Sequence, residues 1–195
     1  EYADQGKLAP YLRPDPGRLD ALRQLGFESQ VRSFEQLTQA LRLEYLVQDA
    51  RQLNLSDGTL DLAHSNNTFE HIYPDILLGI LREFRRIVRP GGVQSHFIDL
   101  SDHFAHFDTS ITIYHFLRFS PAAWRWIDNT VQPLNRLRIT DYRHLYHEAG
   151  LSISEENLRP GDVQALRDVP VHPHFLGNTE AENAVSHGYF FSKME

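Results

Sequence analysis

The chain has 195 residues, 41% hydrophobic and 23% charged, with a formal net charge of −7. That size and balance fit one globular domain with a real core, and the acidic excess argues against a nonspecific nucleic-acid or anionic-membrane surface. Cysteine is absent, which excludes a disulfide framework and a thiolate metal site and fits a reducing, cytoplasmic setting; no apolar run of about 18 residues offers a membrane span.

In chain order, Pro10, Pro14, Pro16 and Gly17 make residues 1–17 an irregular lead-in. Arg18 to Leu25 predicts a short helix carrying Leu19, Leu22 and Leu25, stopped by Gly26. Ser33-Phe34-Glu35-Gln36 has the form of a capping box and predicts a helix to about Leu41, with Leu37, Ala40 and Leu41 facing inward. Glu44 to Gln48 reads as a strand ending at Asp49-Ala50, and Ser56-Asp57-Gly58 as a turn in which glycine supplies positive φ. Leu60 to His64 reads as the next strand, with Asp61 a surface charge near its start, and Ser65 to Thr68 as the polar loop that ends it. In an open α/β sheet such a carboxyl end is where ligands bind.

Glu70-His71 opens the following element. Pro74 suits a first helical turn, and Asp75 the positive end of the helix dipole. Ile76, Leu77, Ile80, Leu81, Phe84, Ile87 and Val88 keep one helical face, while Arg82, Arg85, Arg86 and Arg89 read as a solvated one. Gly91-Gly92 ends the helix, and Val93 to Leu100 returns as a strand.

Beyond it, the segment from His96 to Asp108 gathers His96, Asp99, Asp102, His103, His106 and Asp108. Imidazole and carboxylate are suitable donors for zinc, iron or manganese, but the spacing matches no metal motif, and a polar pocket is the preferred reading. Ser110 to Asn135 is rich in aromatic residues (Tyr114, Phe116, Phe119, Trp124, Trp126), with Ser120-Pro121 opening a helix. Arg136 or Arg138 offers a guanidinium for an anionic group, with at least one of the two expected at the surface. Thr140 reads as the cap of a helix from Asp141 to Ala149, ended by Gly150. Leu151 to Asn157 and Val185 to Ser192 read as a final pair of strands, and His172-Pro173-His174 as an incidental loop pair.

Asp49-Ala50, Ser56-Asp57-Gly58, Leu60 to Ser65, Glu70-His71 and Arg89-Pro90-Gly91-Gly92 stand in an order and spacing that resemble the class I, Rossmann-like, S-adenosylmethionine-dependent methyltransferases, especially the type 11 group. The resemblance is strongest over residues 43–100. It implies an α/β fold: one methyltransferase-like domain over residues 1–195, with flanking helices and an antiparallel C-terminal strand pair. It also implies a helical insertion at residues 101–140 that covers the active site. The family's G-x-G loop is absent, since no two glycines are separated by a single residue. The expectation is therefore a chain truncated at its N-terminus, lacking the first two strands and inactive or weak toward the cofactor as it stands.

The resemblance further implies S-adenosylmethionine as cofactor. Asp49 would accept the exocyclic amine of adenine, an ionised carboxylate being acceptor-only, and the Ala50 backbone N–H would reach a ring nitrogen. Ser65, Asn66 and Asn67 would pass the methionine and ribose, although Asn also suits a left-handed backbone for purely conformational reasons. His71 would line the junction with substrate and is the candidate general base; in-line alignment itself supplies much of the acceleration of a methyl transfer. His103, His106, Asp108 and Arg136 would hold a small polar acceptor, with no nucleic-acid or membrane partner and the oligomeric state left open. Two other classes stay in view: a metal-dependent hydrolase or oxygenase built on His96, Asp99, His103, His106 and Asp108, and a non-catalytic binding module that keeps the fold.

Overall fold

The structure, a computed structural model, describes Gly17, Asp20 and residues 33–195. The expected lead-in and the helix at residues 18–25 fall almost entirely outside these. Two units divide the chain, residues 1–48 and 49–195.

In the first unit, helix α1 (Phe34–Leu41) begins as its capping sequence predicts, the Ser33 hydroxyl accepting from the Gln36 N–H. It ends with Arg42 in the left-handed region, φ 52°, and with the Leu43 N–H donating back to the Thr38 carbonyl. The strand expected at Glu44 to Gln48 does not form. Leu43, Tyr45, Leu46 and Val47 are exposed, and residues 43–48 belong to no strand of the sheet. An apolar run becomes a parallel-sheet strand only where both its faces are covered.

In the second unit, alternating and helical periodicities produce a βαβ crossover followed by two antiparallel strands. Strand β1 (Leu60–Asn66) leads through a short 3₁₀ turn (Phe69–His71) to α2 (Pro74–Ile87), which returns the chain to β2 (Val88–Asp99). β1 and β2 are parallel, with Ser65 opposite His96 and Asn66 opposite Phe97. β3 (Glu155–Arg159) and β4 (His187–Lys193) complete a four-stranded sheet in the order β1-β2-β4-β3, the last two pairings antiparallel. Both strands lie further along the chain than the expected Leu151 to Asn157 and Val185 to Ser192. β2 begins at Val88, five residues before the expected start, because the bend at Gly91 (φ 77°) is absorbed within the strand. Gly92 is needed for another reason: a Cβ there would lie 2.9 Å from the Asp61 carbonyl oxygen of the neighbouring strand.

Helix α2 buries the predicted face, with Leu77, Ile80, Leu81 and Ile87 in the core and Pro74 in its first turn. Its arginine face is not wholly solvated. Arg86 donates to Glu83, Asp57 and the carbonyls of Leu53 and Leu55, and the buried Glu83 also accepts from the Leu53 N–H. This clasp holds residues 53–57 against α2.

Between β2 and β3 lie 3₁₀ turns at His103–His106 and His115–Arg118, helix α3 (Pro121–Ile127) and helix α4 (Ile139–Glu148). Ser120 caps α3 as expected. Helix α4 is capped by Arg138 and Asp141 rather than by Thr140, whose hydroxyl donates instead to Asn178. Helices α5 (Val163–Arg167) and α6 (Glu180–Ala184) follow β3. One core lies between the sheet and helices α2 and α4, around Leu77, Leu81, Ile98, Tyr142, Tyr146 and Phe190. A second joins Tyr114, Phe116, Trp124 and Leu134 to Leu166 and Phe175.

Arg138 is fully buried at the seam, where its guanidinium donates to the carbonyls of Leu100, Asn183 and Val185 at 2.6–2.7 Å. Replacing it removes these charge-assisted bonds and strands the carbonyls away from water. Arg138→Met should lower the unfolding free energy by about 3 kcal/mol or more in urea titrations. Arg82→Met, which breaks an exposed pair with Glu148, should cost less than about 1 kcal/mol.

Candidate functional site

The carboxyl ends of β1 and β2 and the start of the antiparallel β4 share one end of the sheet, since Asp99 pairs with His187. Four short segments deliver polar side chains there. β1 runs on through Ser65 and Asn66, which therefore belong to the strand rather than to the expected loop. Asn67 then turns the chain in the left-handed region (φ 49°), its N–H donating to the Phe97 carbonyl. The 3₁₀ turn that follows carries Glu70 and His71, β2 ends in Asp99, and the segment after it carries Asp102, His103 and His106.

His96 is not part of this polar set. Its ring is buried between Phe69 and Phe84, at centroid distances of 4.3 and 5.7 Å, and Nδ1 meets the Ser65 hydroxyl at 2.7 Å. Burial, with His64 adding to it, drives its pKa down to about 3, so the imidazole is neutral. Asp108 also lies outside the set, exposed and accepting from the Ser110 N–H and hydroxyl. The five-residue cluster expected from His96 to Asp108 thus does not converge. Asp99, His103 and His106 do come together, as do Glu70, His71 and His103: within each trio one ligand-type atom per residue lies within 4.8 Å of the others.

Glu70 is the outlier in this group. It is 1% exposed, and neither carboxylate oxygen has a hydrogen-bond partner. Burial pushes its pKa up to about 7; the Asp99 charge acts in the same direction, while the backbone N–H groups of Glu70 and Asp99 and the nearby His103 act against it. Asp99 behaves oppositely. Burial would raise it, but contacts from His103 and Ser101, with His187 nearby, outweigh burial and hold it below the ordinary range. Two buried carboxylates therefore stand at one sheet end in contrasting states. His71 Nδ1 donates to the Pro133 carbonyl at 2.7 Å, which leaves Nε2 with its lone pair, 4.0 Å from Glu70 Oε1. Nothing in the sequence distinguishes Glu70 from an exposed first-turn acid; its burial comes from segments far along the chain, such as Asn135, whose N–H donates to the Glu70 carbonyl.

An aromatic cavity of about 350 Å³ lies beyond, lined by Asp102, Phe104, Phe107, Asp108, Ile111, His115, Phe119, Trp124 and Ile127. Asp102 and His115 face each other across 3.7 Å in its wall. A smaller recess, about 80 Å³, opens beside His103, Phe104, Phe107 and Leu134. Arg136 is at neither. It is buried, stacks on Trp124 and Phe175, and donates to the carbonyls of Phe116 and Phe119, so neither arginine of the pair reaches the surface. Asp49 follows no strand; its exposed carboxylate binds the Arg51 backbone N–H and guanidinium and sits at a pKa of about 2, chiefly through that side-chain bond.

Residues 9–95 match the family model of a methyltransferase domain, a match that covers the ordered motifs and extends upstream of them. No curated protein matches the chain. Among solved structures, the PH0226 protein of Pyrococcus horikoshii is 15% identical with a TM-score of 0.52, over 100% of this chain and 92% of its own. Geranyl diphosphate C-methyltransferase of Streptomyces coelicolor is 9% identical with a TM-score of 0.51, covering 83% of this chain and 57% of its own. The 1,6-didemethyltoxoflavin N1-methyltransferase of Burkholderia thailandensis is 13% identical with a TM-score of 0.50, covering 84% and 57%. The chain thus spans little more than half the length of these two enzymes. The family match over residues 9–95 and the likeness of fold to these structures make the chain similar to Rossmann-like methyltransferases.

The folded chain holds the Glu70 proton more tightly than the unfolded chain, so this residue's contribution to stability falls as pH rises from about 4.5 to about 7. Glu70→Gln removes the charge that is buried above that range. With chelator present, the variant should exceed the parent by on the order of 2–3 kcal/mol near pH 8, and the difference should vanish near pH 4 in urea unfolding.

Proposed function

We propose that the chain transfers a methyl group from S-adenosylmethionine to a small-molecule acceptor seated in the aromatic cavity beside the end of β1 and β2. The observation that carries this reading is the convergence of Ser65, Asn66, Glu70, His71, Asp99 and His103 at the carboxyl end of a parallel strand pair, where α/β sheets bind ligands. The cofactor's methionine and ribose would run along Ser65, Asn66 and Asn67. Asp49 and Ala50 would meet the adenine, the carboxylate keeping acceptor capacity beyond its bonds to Arg51.

The acceptor would present a polar nucleophile on a largely apolar body. Phe104, Phe107, Phe119 and Trp124 supply the apolar wall, and His103 the polar edge. Residues 101–140 act in this reading as the cover that excludes water, which strengthens alignment and electrostatics at the sulfonium. His71 Nε2 is the proposed contact to the nucleophile and its proton acceptor, held in the right tautomer by Pro133. Asp108 lines the acceptor cavity in this scheme and His106 stands beside His103 at its edge, whereas Arg136 has no part in it. No described helix is long and apolar enough to cross a membrane, and a small molecule is the proposed partner.

The test is calorimetric titration with S-adenosylmethionine and its demethylated product, followed by variants. Asp49→Ala should bind about tenfold to a hundredfold more weakly, the loss of one hydrogen bond to a charged group. Binding within about twofold of the parent would remove Asp49 from the adenine site, and no binding of either ligand would remove the cofactor site altogether. With an acceptor in hand, His71→Gln should lower kcat on the order of a hundredfold while leaving cofactor affinity unchanged.

A further inference from the structure

We propose that Glu70, His71 and His103 form a binding site for one divalent transition-metal ion of the zinc class. Three features point to it. The first is the donor set: two imidazoles and one carboxylate with their ligand atoms mutually within 4.8 Å. An ion bound at about 2.0–2.2 Å needs its ligands somewhat closer than that, a contraction that side-chain rotation can supply. The second is Glu70 itself. A carboxyl group 1% exposed, with both oxygens unpartnered, is a costly arrangement in a protein interior, where buried polar atoms are nearly always satisfied. One of those oxygens stands 4.0 Å from His71 Nε2, on the side of the imidazole that carries the lone pair.

The third feature lies around the ligands. Histidines that bind metals usually donate their other ring N–H to a carbonyl or carboxylate, which fixes the tautomer and the ring's direction. His71 does this at 2.7 Å through Nδ1 and the Pro133 carbonyl. Asp99 stands 3.5 Å from His103 Nε2 and also faces His187, supplying negative charge beside the site. Mixed nitrogen and oxygen donors favour zinc, iron or cobalt over magnesium or calcium, which prefer oxygen throughout. Three protein ligands leave a coordination position open, as in catalytic rather than structural zinc sites. His103 also lines the recess beside Leu134.

Binding of the ion does not depend on the methyl-transfer reading. Its role would: resting on that reading, the ion would take over from His71 the contact to the acceptor's oxygen, and orient it.

Chelator-stripped protein titrated with zinc chloride, and separately with cobalt(II) read by its visible absorption, tests the proposal without cofactor or acceptor. One equivalent should bind, and the thermal transition should rise with zinc concentration. Glu70→Gln and His103→Gln should each weaken binding more than tenfold. The paired replacement His172→Ala and His174→Ala, in the loop before α6, should leave it unchanged. Both ligand variants are checked for folding by their thermal transitions in chelator. Failure of the parent to bind one equivalent would overturn the site, as would parent-like affinity in folded Glu70→Gln or loss of the ion through the His172 and His174 pair. Because the readout is the ion itself, a protein that binds zinc but no S-adenosylmethionine separates this proposal from the methyltransferase one.

Discussion

The geometry of the sheet end depends on one buried cation. Arg138 arrives from the residue before α4, far in sequence from its acceptors, and its guanidinium bridges the carbonyl just after β2 to two carbonyls just before β4. A guanidinium is well suited to this, because it presents several donors in a fixed plane and is less strongly hydrated than an ammonium. Its desolvation is offset only if those donors are used, and here three of them are. The same bonds hold Leu100 and Val185 at fixed positions, so that Asp99 and His187, one residue before Leu100 and two after Val185, meet across the β2–β4 ladder. The acidic end of the site is thereby registered by a residue that does not itself enter it.

Once that register is set, environment rather than residue type assigns the roles. Asp99 has a backbone N–H and two histidines, and stays ionised; Glu70 has no side-chain hydrogen bond, and burial outweighs the nearby backbone N–H groups and raises its pKa to about 7. Paired titratable groups pushed in opposite directions mark places where protons or cations are handled. The burial of a carboxylate without a side-chain hydrogen bond is the feature that ties the fold's packing to the chemistry at the end of β1.

Much of the frame was legible in the sequence because it rests on local rules. The apolar face of α2, Pro74 in its first turn and the Ser33 and Ser120 caps all follow from spacing and backbone preference, and the structure carries each of them, whereas Gly91-Gly92, expected to end the helix, lie inside β2 because the helix already ends at Ile87. The parallel β1–β2 pair and the antiparallel β3–β4 pair also followed, with edges displaced by a few residues. The failures share a different cause. Glu44 to Gln48 has strand composition, but a strand exists only where a neighbour supplies its hydrogen bonds. Arg136, Arg138, Glu83 and His96 are polar residues whose burial is decided by partners 17 to 47 positions away, or by the aromatic rings that flank them. Glu70 is the extreme case, since its significance is the lack of a partner, which no pattern in the chain records.

The second core completes the argument about the cavity. Tyr114 accepts from the Asp162 N–H and donates to the Ala184 carbonyl, while Trp124 donates to the Leu134 carbonyl and lies under Arg136. These directional bonds, rather than apolar contact alone, join the segment after β2 to the loops around α5 and α6. Gly161 shows how close that approach is: with φ 71°, it leaves no room for a side chain against Ala184 and Tyr114. The aromatic residues of the region therefore divide by role. Tyr114 and Phe116 are committed to the core and Trp124 serves both core and cavity wall, whereas Phe104 and Phe107, 47% and 87% exposed, line the cavity and belong to no core cluster. A wall fixed by polar bonds can carry such uncommitted rings without relying on them for stability, and that separation leaves Phe104 and Phe107 available to set which acceptor fits.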